Sequence, residues 1–432
     1  MDEKRLLIVS LFFAPSAAVG AKRATRLALR VREHGWSPFV LTAGEGCCPP
    51  IEPSTPLDHR PDVYVERVTC LSPWWHSQNW PSYPDRWQRL FWRANRIWTK
   101  PTWRLLPAES LAPWVWRATS RGVSLVKKHK IDMIWATAPN MSSLLVAQRI
   151  SQRTGVPYVV DFRDVRNVQD TAVLRWHDKR VFALAKRVVE HAAGISYVAP
   201  DQVSMLHRMY PDCRQKPHCL VYNWFEQAES DALPVKTFDR PTMLCGGCLY
   251  GSTRLNGLMQ ALTMRVQRDA RGSAGLQLLW HYYLGNRRKL TELIERYQLG
   301  DGIRLEARIP QPEFQSASRG ADILLIVIGR TSGAVEHPKS PTGKLFDYMA
   351  AGRPILVVGP EGCVAGQMVE RLNRGIGARD DRPEEITKAI DLLLAGQGRQ
   401  GPLDLSPEAV SEFEGAKAVA RLAEFLRLCL PR

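Results

Sequence analysis

The strongest constraint on this chain is a repeated alternation of short, mostly apolar runs with longer amphipathic stretches. Leu6–Phe12 is apolar but for Ser10, which marks a strand buried on both faces. A small-residue loop, 14–20, follows it. Ala21–His34 then places Ala24, Leu27, Ala28 and Val31 on one helical face, and Gly35 stops the helix. Pro38–Thr42 is the next strand. Strand, helix and strand in this order form a right-handed βαβ unit on a parallel sheet. The alternation returns with predicted strands at 131–137, 157–162 and 195–198, and predicted helices at 141–154, 172–192 and 201–209.

After Asn223 the rhythm breaks. Residues 226–241 are polar, acidic and proline-bearing, as in a linker. A second series follows, with strands at 242–244, 276–284, 303–305, 323–328 and 355–358 and helices between them. Terminal helices are expected at 384–394 and 409–428. With 432 residues there is room for two or three domains. The predicted fold class is α/β, with two doubly wound Rossmann-like domains facing a central cleft. The expected boundaries are 1–225 for the N-terminal domain, 226–241 for the linker and 242–432 for the C-terminal domain. Ligands of such sheets bind beyond the carboxyl ends of the strands. That directs attention to the loops at 13–21, 162–167, 246–254 and 330–344.

The segment Ser340-Pro-Thr-Gly-Lys-Leu-Phe-Asp-Tyr-Met-Ala-Ala-Gly-Arg-Pro354 carries the densest chemistry. Ser340 is a suitable N-cap, Pro341 suits the first helical position, and Gly352 with Pro354 ends the helix. The N–H groups of Thr342, Gly343 and Lys344 then lack helical partners and lie at the positive end of the helix dipole. Lys344 adds a cation. Asp347, one turn on, shares its face. An anion cradle, a cation and a carboxylate together suit a nucleotide diphosphate with its ribose. Upstream, Gly246, Gly247 and Gly251 allow a ligand to approach the backbone, and Arg254 is a candidate phosphate cation.

In the N-terminal half, Gly20 with Ala21-Lys-Arg23 opens a helix where a phosphate or acceptor group would sit against the N-terminus. The plain alternative is an ordinary βα loop. Val159-Val-Asp-Phe-Arg-Asp164 sets two carboxylates and a guanidinium just past a buried strand. Asp164 is a candidate base or acceptor-orienting group, with Asp161 and Arg163 beside it. The alternative is an Asp161–Arg163 ion pair or a helix cap. Glu336, in the loop before the Lys344 helix, is a further catalytic candidate, with a solvated loop glutamate as the alternative. His281 reads as a packed strand residue.

The formal net charge of +16 admits three partners: nucleic acid, an anionic membrane, or phosphorylated substrates. Nine of the fourteen tryptophans fall in 74–116. Within that stretch Trp87, Leu90, Phe91, Ala94, Ile97 and Trp98 keep helical spacing, with Arg86, Arg89, Arg93, Arg96 and Lys100 on another face. Tryptophan with arginine on an amphipathic helix is the make-up of an interfacial element, so 86–100 is expected to meet an anionic membrane surface. A helix packed on its own domain is the alternative. No nucleic-acid-binding motif is present, and no nucleic-acid partner is expected. No run approaches the length of a membrane span, and the start Met-Asp-Glu-Lys-Arg does not lead into a secretory leader. The nine cysteines are scattered, and Cys245-Gly-Gly-Cys248 has no second pair to complete a metal site. The expectation is a reducing cytoplasmic setting, peripheral on the inner face of the cell membrane.

Taken together, these stretches resemble glycosyltransferases of the GT-B fold, above all the family 4 group of bacterial polysaccharide and glycolipid synthesis. Phe13-Ala-Pro15, Gly20-Ala-Lys-Arg23 and His34-Gly35-Trp36 resemble that family's opening loop and helix. Val156–Asp164 resembles its second signature, and Lys344–Leu356 resembles its donor-binding helix. The resemblance implies retaining transfer from a nucleotide-diphospho-sugar held by the C-terminal domain to a lipid-linked or saccharide acceptor held by the N-terminal one, without metal or cofactor. It gives Asp347 to the ribose and Lys344 and Arg254 to the diphosphate. Lys339 stands where the family has its first glutamate, and so becomes a further donor-side cation. Two alternatives stay open: a GT-B sugar-nucleotide epimerase, and a non-catalytic nucleotide-sugar-binding protein.

Overall fold

The computed structural model describes residues 3–16, 18–44, 60–69, 112–138, 141–163, 167–168, 176–247, 253–269, 275–282, 286–329, 335–336 and 341–431. It divides into two compact units. The first comprises Met1–Asn223, Ala334–Pro338 and Gly415–Arg432. The second comprises Trp224–Gly333 and Lys339–Glu414.

The first unit is built on a seven-stranded sheet. Its strands are β1 (Lys4–Val9), β2 (Trp36–Ala43), β3 (Tyr64–Val68), β4 (Met133–Thr137), β5 (Tyr158–Phe162), β7 (Gly194–Tyr197) and β8 (His218–Leu220). They lie in the order β3-β2-β1-β4-β5-β7-β8, all parallel. A short antiparallel pair, β6 (Asn167–Val168) with β13 (Val335–Glu336), belongs to the same unit. Burial follows position in the sheet. β4 and β5 are buried at every residue because helices cover both faces, whereas edge strand β3 keeps only Val68 buried. Helix Val19–Arg30 follows β1, passes into a 3-10 turn, and ends at Gly35 in the left-handed region (φ 73°).

The second unit repeats the plan with six strands. They are β9 (Thr242–Gly247), β10 (Gln277–Tyr282), β11 (Ile303–Ala307), β12 (Ile323–Val327), β14 (Ile355–Gly359) and β15 (Gly375–Arg379). Their order is β11-β10-β9-β12-β14-β15, again all parallel. In each sheet the strand order reverses once, between β1 and β4 and between β9 and β12. Crevices at the carboxyl ends of these pairs are where doubly wound sheets bind ligands. The α/β class and two doubly wound Rossmann-like units are thus as the sequence predicts.

Three boundaries differ from the sequence reading. Residues 226–241 are not a free linker: Gln227–Asp231 is helical, Arg319 donates to the carbonyls of Ser230 and Leu233, and Lys236 N–H donates to Ser316 O. The terminal helix Gly415–Leu428 belongs to the first unit, although the sequence reading counts it with the C-terminal domain. Trp36 Nε1 donates to Ala423 O at 3.3 Å, Arg427 donates to His34 O, and Gly194 lacks a Cβ where Phe425 and Cys429 press in. Helical period alone cannot say which sheet a terminal helix covers. Finally, Trp114, counted with the tryptophan-rich insert, lies fully buried on helix Ala112–His129, while Trp116 is 68% exposed. The proposed interfacial helix 86–100 lies outside the described residues. Among the described residues, no helix is long and apolar enough to cross a membrane.

Phe425 is 4% exposed, so truncating it removes buried area and leaves a cavity beneath Gly194. Phe425→Ala is expected to cost about 3–5 kcal/mol of stability. The loss should appear in the urea transition of the first unit while the second unit's transition stays put.

Candidate functional site

In the second unit the crevice is shaped by what glycine leaves vacant. β9 is buried along Thr242–Gly246 and ends at Gly247, whose φ of 108° excludes ordinary side chains. A Cβ on Gly246 would lie 2.4 Å from the Phe314 ring. One on Gly247 would lie 2.4 Å from Lys344 Nζ. Only glycine at 247 lets the Lys344 ammonium lie against the end of the strand.

Helix Gly343–Ala350 presents Lys344. It starts two residues later than the sequence pattern suggests. Thr342, with extended backbone (φ −62°, ψ 147°), takes the N-cap position, and its carbonyl accepts Leu345 N–H at 3.0 Å. The expected N-cap Ser340 lies outside the described residues. The N–H groups of Thr342, Gly343 and Lys344 therefore all precede the first i→i−4 bond of the helix. Leu345, Phe346, Tyr348, Met349 and Ala350 are buried; Gly343, Lys344 and Asp347 are the part-exposed positions of the helix. Cation and carboxylate thus share its one accessible stripe.

The helix is held firmly. Phe346 meets Phe413 edge-on at 5.6 Å, and Tyr348 stacks on Phe314 at 6.3 Å. At its far end the buried Arg374 donates to Met349 O (2.9 Å) and Asp404 O (3.0 Å), a cation on the negative end of the dipole. Gly352 turns the chain at φ 66°, as the sequence indicates. Beneath Lys344, burial pushes the Cys245 thiol up to about 12, while the nearby ammonium pulls the other way. The thiol stays protonated at neutral pH and does not compete for the lysine. His281 is packed as expected: Ala307 O lies 3.1 Å from Nδ1, Phe314 is edge-on at 5.7 Å, and burial lowers its pKa. Arg254 is exposed just ahead of helix Asn256–Asp269. Lys339 lies outside the described residues.

In the first unit the crevice at the β1/β4 reversal is lined by Ser10, Leu11, Phe12, Gly20, Thr137, Ala138, Ser143 and Arg163. The sequence candidates Asp161 and Arg23 lie beside it and serve each other. Arg23 donates from Nε to Asp161 Oδ2 (2.9 Å) and from Nη2 to Oδ1 (2.8 Å). Thr137 Oγ1 donates to Oδ2 at 2.8 Å and Ser196 Oγ to Oδ1 at 2.7 Å. Arg23 also donates to the carbonyls of Val221 and Tyr222. Asp161 is 0% exposed and Arg23 3%.

This corrects the sequence reading twice. Asp161 pairs with Arg23 and not Arg163, and its enclosed carboxylate anchors the strand end. Arg23 is likewise buried, with its guanidinium engaged by Asp161 and two backbone carbonyls. Gly20 accommodates the Phe12 ring, 2.7 Å from a would-be Cβ, and its carbonyl accepts Arg163 Nη1 at 2.9 Å. Arg163 is thereby tied to the crevice wall. Asp164 lies outside the described residues. Glu336 is in β13 opposite Asn167 of β6, within the first unit, not in the C-terminal domain where the sequence reading put it. Arg374 and Phe314 escaped sequence reasoning; only Gly246, against which Phe314 packs, hinted at crowding.

No family model and no curated protein matches the chain. Solved structures do. Sucrose-phosphate synthase from Thermosynechococcus elongatus matches at TM-score 0.60 and 15% identity, over 99% of this chain and 95% of that one. A glycosyltransferase from Rickettsia africae matches at 0.60 and 11%, over 99% and 98%. Anabaena HepE, solved in complex with UDP-glucose, matches at 0.61 and 12%, over 98% and 99%. The likeness is one of fold, and the fold is GT-B.

Asp161→Asn leaves a buried guanidinium short of its counter-charge and is expected to cost about 3–5 kcal/mol. Arg23→Met combined with Asp161→Leu should recover much of that loss. Urea denaturation of the three variants checks it; a catalytic role would instead abolish turnover at unchanged stability.

Proposed function

We propose that this protein is a glycosyltransferase that moves a sugar from a nucleotide-diphospho-sugar to a lipid-linked or saccharide acceptor. The observation that carries the reading is the Lys344 ammonium resting on Gly247 at the strand-order reversal, with Asp347 on the same part-exposed stripe. The full-length likeness to the synthase, transferase and UDP-glucose-bound structures named above supports it.

In this reading the second unit holds the donor. Lys344 and the first-turn N–H groups of Gly343 and Lys344 take the diphosphate, with Thr342 at the cap and Arg254 and Lys339 as further cations. Asp347 accepts hydrogen bonds from the ribose hydroxyls. As the bond from the anomeric carbon to the diphosphate oxygen breaks, charge grows on the leaving phosphate. Fixed cations and dipoles stabilise that charge more than the ground state, which lowers the barrier. The acceptor hydroxyl forms the new bond and loses its proton, for which Asp164 and Glu336 are the candidate bases. Charge neutralisation by side chains and backbone leaves no task that demands a metal or cofactor, and we assign transfer with retention. The first unit takes the acceptor. Its tryptophan- and arginine-rich segment 86–100 would dock on the anionic inner face of the cell membrane, which fits a lipid-linked acceptor.

Lys344→Ala removes a charge-assisted contact worth about 1.5–3 kcal/mol, so donor affinity or turnover should fall about tenfold or more. Thermal unfolding should change little, because the side chain lies on the part-exposed stripe of the helix. Unchanged kinetics with a nucleotide-sugar panel would sink the assignment. Arg89→Gln, Arg93→Gln and Arg96→Gln together should weaken binding to anionic vesicles by roughly a hundredfold, at about 1 kcal/mol per charge. Flotation at low salt measures this; full retention on the vesicles would mean that another surface docks.

A further inference from the structure

Away from both crevices, three metal-ligating side chains of the first unit converge. His207 lies in the last turn of helix Pro200–Met209, Cys213 in the 3-10 turn Pro211–Gln215, and His218 opens edge strand β8. The two ring nitrogens and the thiol sulfur all lie within 4.8 Å of one another. The Nε2 atoms are 3.2 Å apart, with the rings crossing at 69°. Cys213 is fully buried, while both histidines are partly exposed.

A hydrogen bond between two neutral imidazoles accounts for the nitrogen pair alone. It does not account for a thiol within 4.8 Å of both nitrogens. Two imidazoles on one tetrahedral zinc, at about 2.0–2.1 Å each, stand about 3.3 Å apart. The observed nitrogen spacing is therefore already that of a chelate. A thiolate on the same ion would stand about 3.6 Å from each nitrogen, against separations of at most 4.8 Å here.

We propose that His207, Cys213 and His218 form a structural site for a divalent transition metal, with zinc as the fitting ion. Imidazole and thiolate ligands suit zinc and its neighbours and discriminate against calcium and magnesium. On binding, the Cys213 S–H bond gives its proton to solvent and the sulfur bonds the metal. His218 Nε2 exchanges its contact with Cys213 O, now 2.9 Å, for the metal. Water completes the fourth position. The ion would tie the end of the helix and the following turn to the edge strand of the seven-stranded sheet, so its role is stability of the first unit and not chemistry at the crevices.

The full-length protein, stripped with a chelator, is titrated with Co2+ and then with Zn2+. Stoichiometric Co2+ binding should give a near-ultraviolet thiolate-to-cobalt band and intense four-coordinate visible bands. Zn2+ should bleach both and raise Tm. C213S should lose the near-ultraviolet band. H207Q, at a partly exposed position that the fold tolerates, should weaken Zn2+ binding by at least about tenfold, since even outer-shell partners are worth that much. Absence of saturable Co2+ binding to the wild type, or a charge-transfer band that survives in C213S, would overturn the proposal.

Discussion

The first unit depends on one enclosed ion pair. Asp161 brings a negative charge to the end of a strand with no access to water, where a bare carboxylate would be intolerable. Arg23 neutralises it through two parallel bonds, and Thr137 and Ser196 occupy the remaining acceptor positions. Those partners come from helix Val19–Arg30 and from the strands on either side of β5. Arg23 then reaches on to the carbonyls of residues 221 and 222. One network fixes three adjacent strand ends, the first helix and the chain leaving β8. The crevice beside it inherits a rigid wall, at a cost in desolvation that the hydrogen bonds must offset.

The second unit solves a different problem. It sets a part-exposed lysine against the end of a buried strand. The glycine at the end of β9 removes the obstruction, and the Gly343–Ala350 helix supplies the lysine from a backbone locked by aromatic packing on its buried side. Arg374 grips the helix at the opposite end. If Lys344 binds a donor as proposed, it is effective in proportion to how little it must reorganise, and the anchoring residues provide that preorganisation.

The two sheets were legible in the sequence because strands buried on both faces leave near-continuous apolar runs, as in Leu6–Phe12 and Ile323–Ile328, and little else does. The Lys344 helix was legible for a local reason too: Lys344, Asp347 and Gly352 act within two turns. What failed was non-local. Asp161 finds Arg23 across 138 residues, and no spacing rule distinguishes that partner from the nearer Arg163. The terminal helix shows its apolar face but not the sheet it covers, so it was assigned to the neighbouring unit. Trp114 looked like part of an interfacial tryptophan cluster, yet the helix it starts turns it inward, while Trp116 two residues on faces water. A helix face is decided by phase, and composition carries no phase.

The central claim is that the end of β9 and the first turn of the Gly343–Ala350 helix bind the diphosphate of a nucleotide-sugar. Amide hydrogen exchange with and without saturating nucleotide-diphospho-sugar tests it most directly, since the N–H groups of Gly343 and Lys344 are the proposed donors. Exchange should slow in peptides covering 246–247 and 342–347, and the slowing should be lost on substituting Lys344. Protection confined to other segments, with these two unchanged, would contradict it.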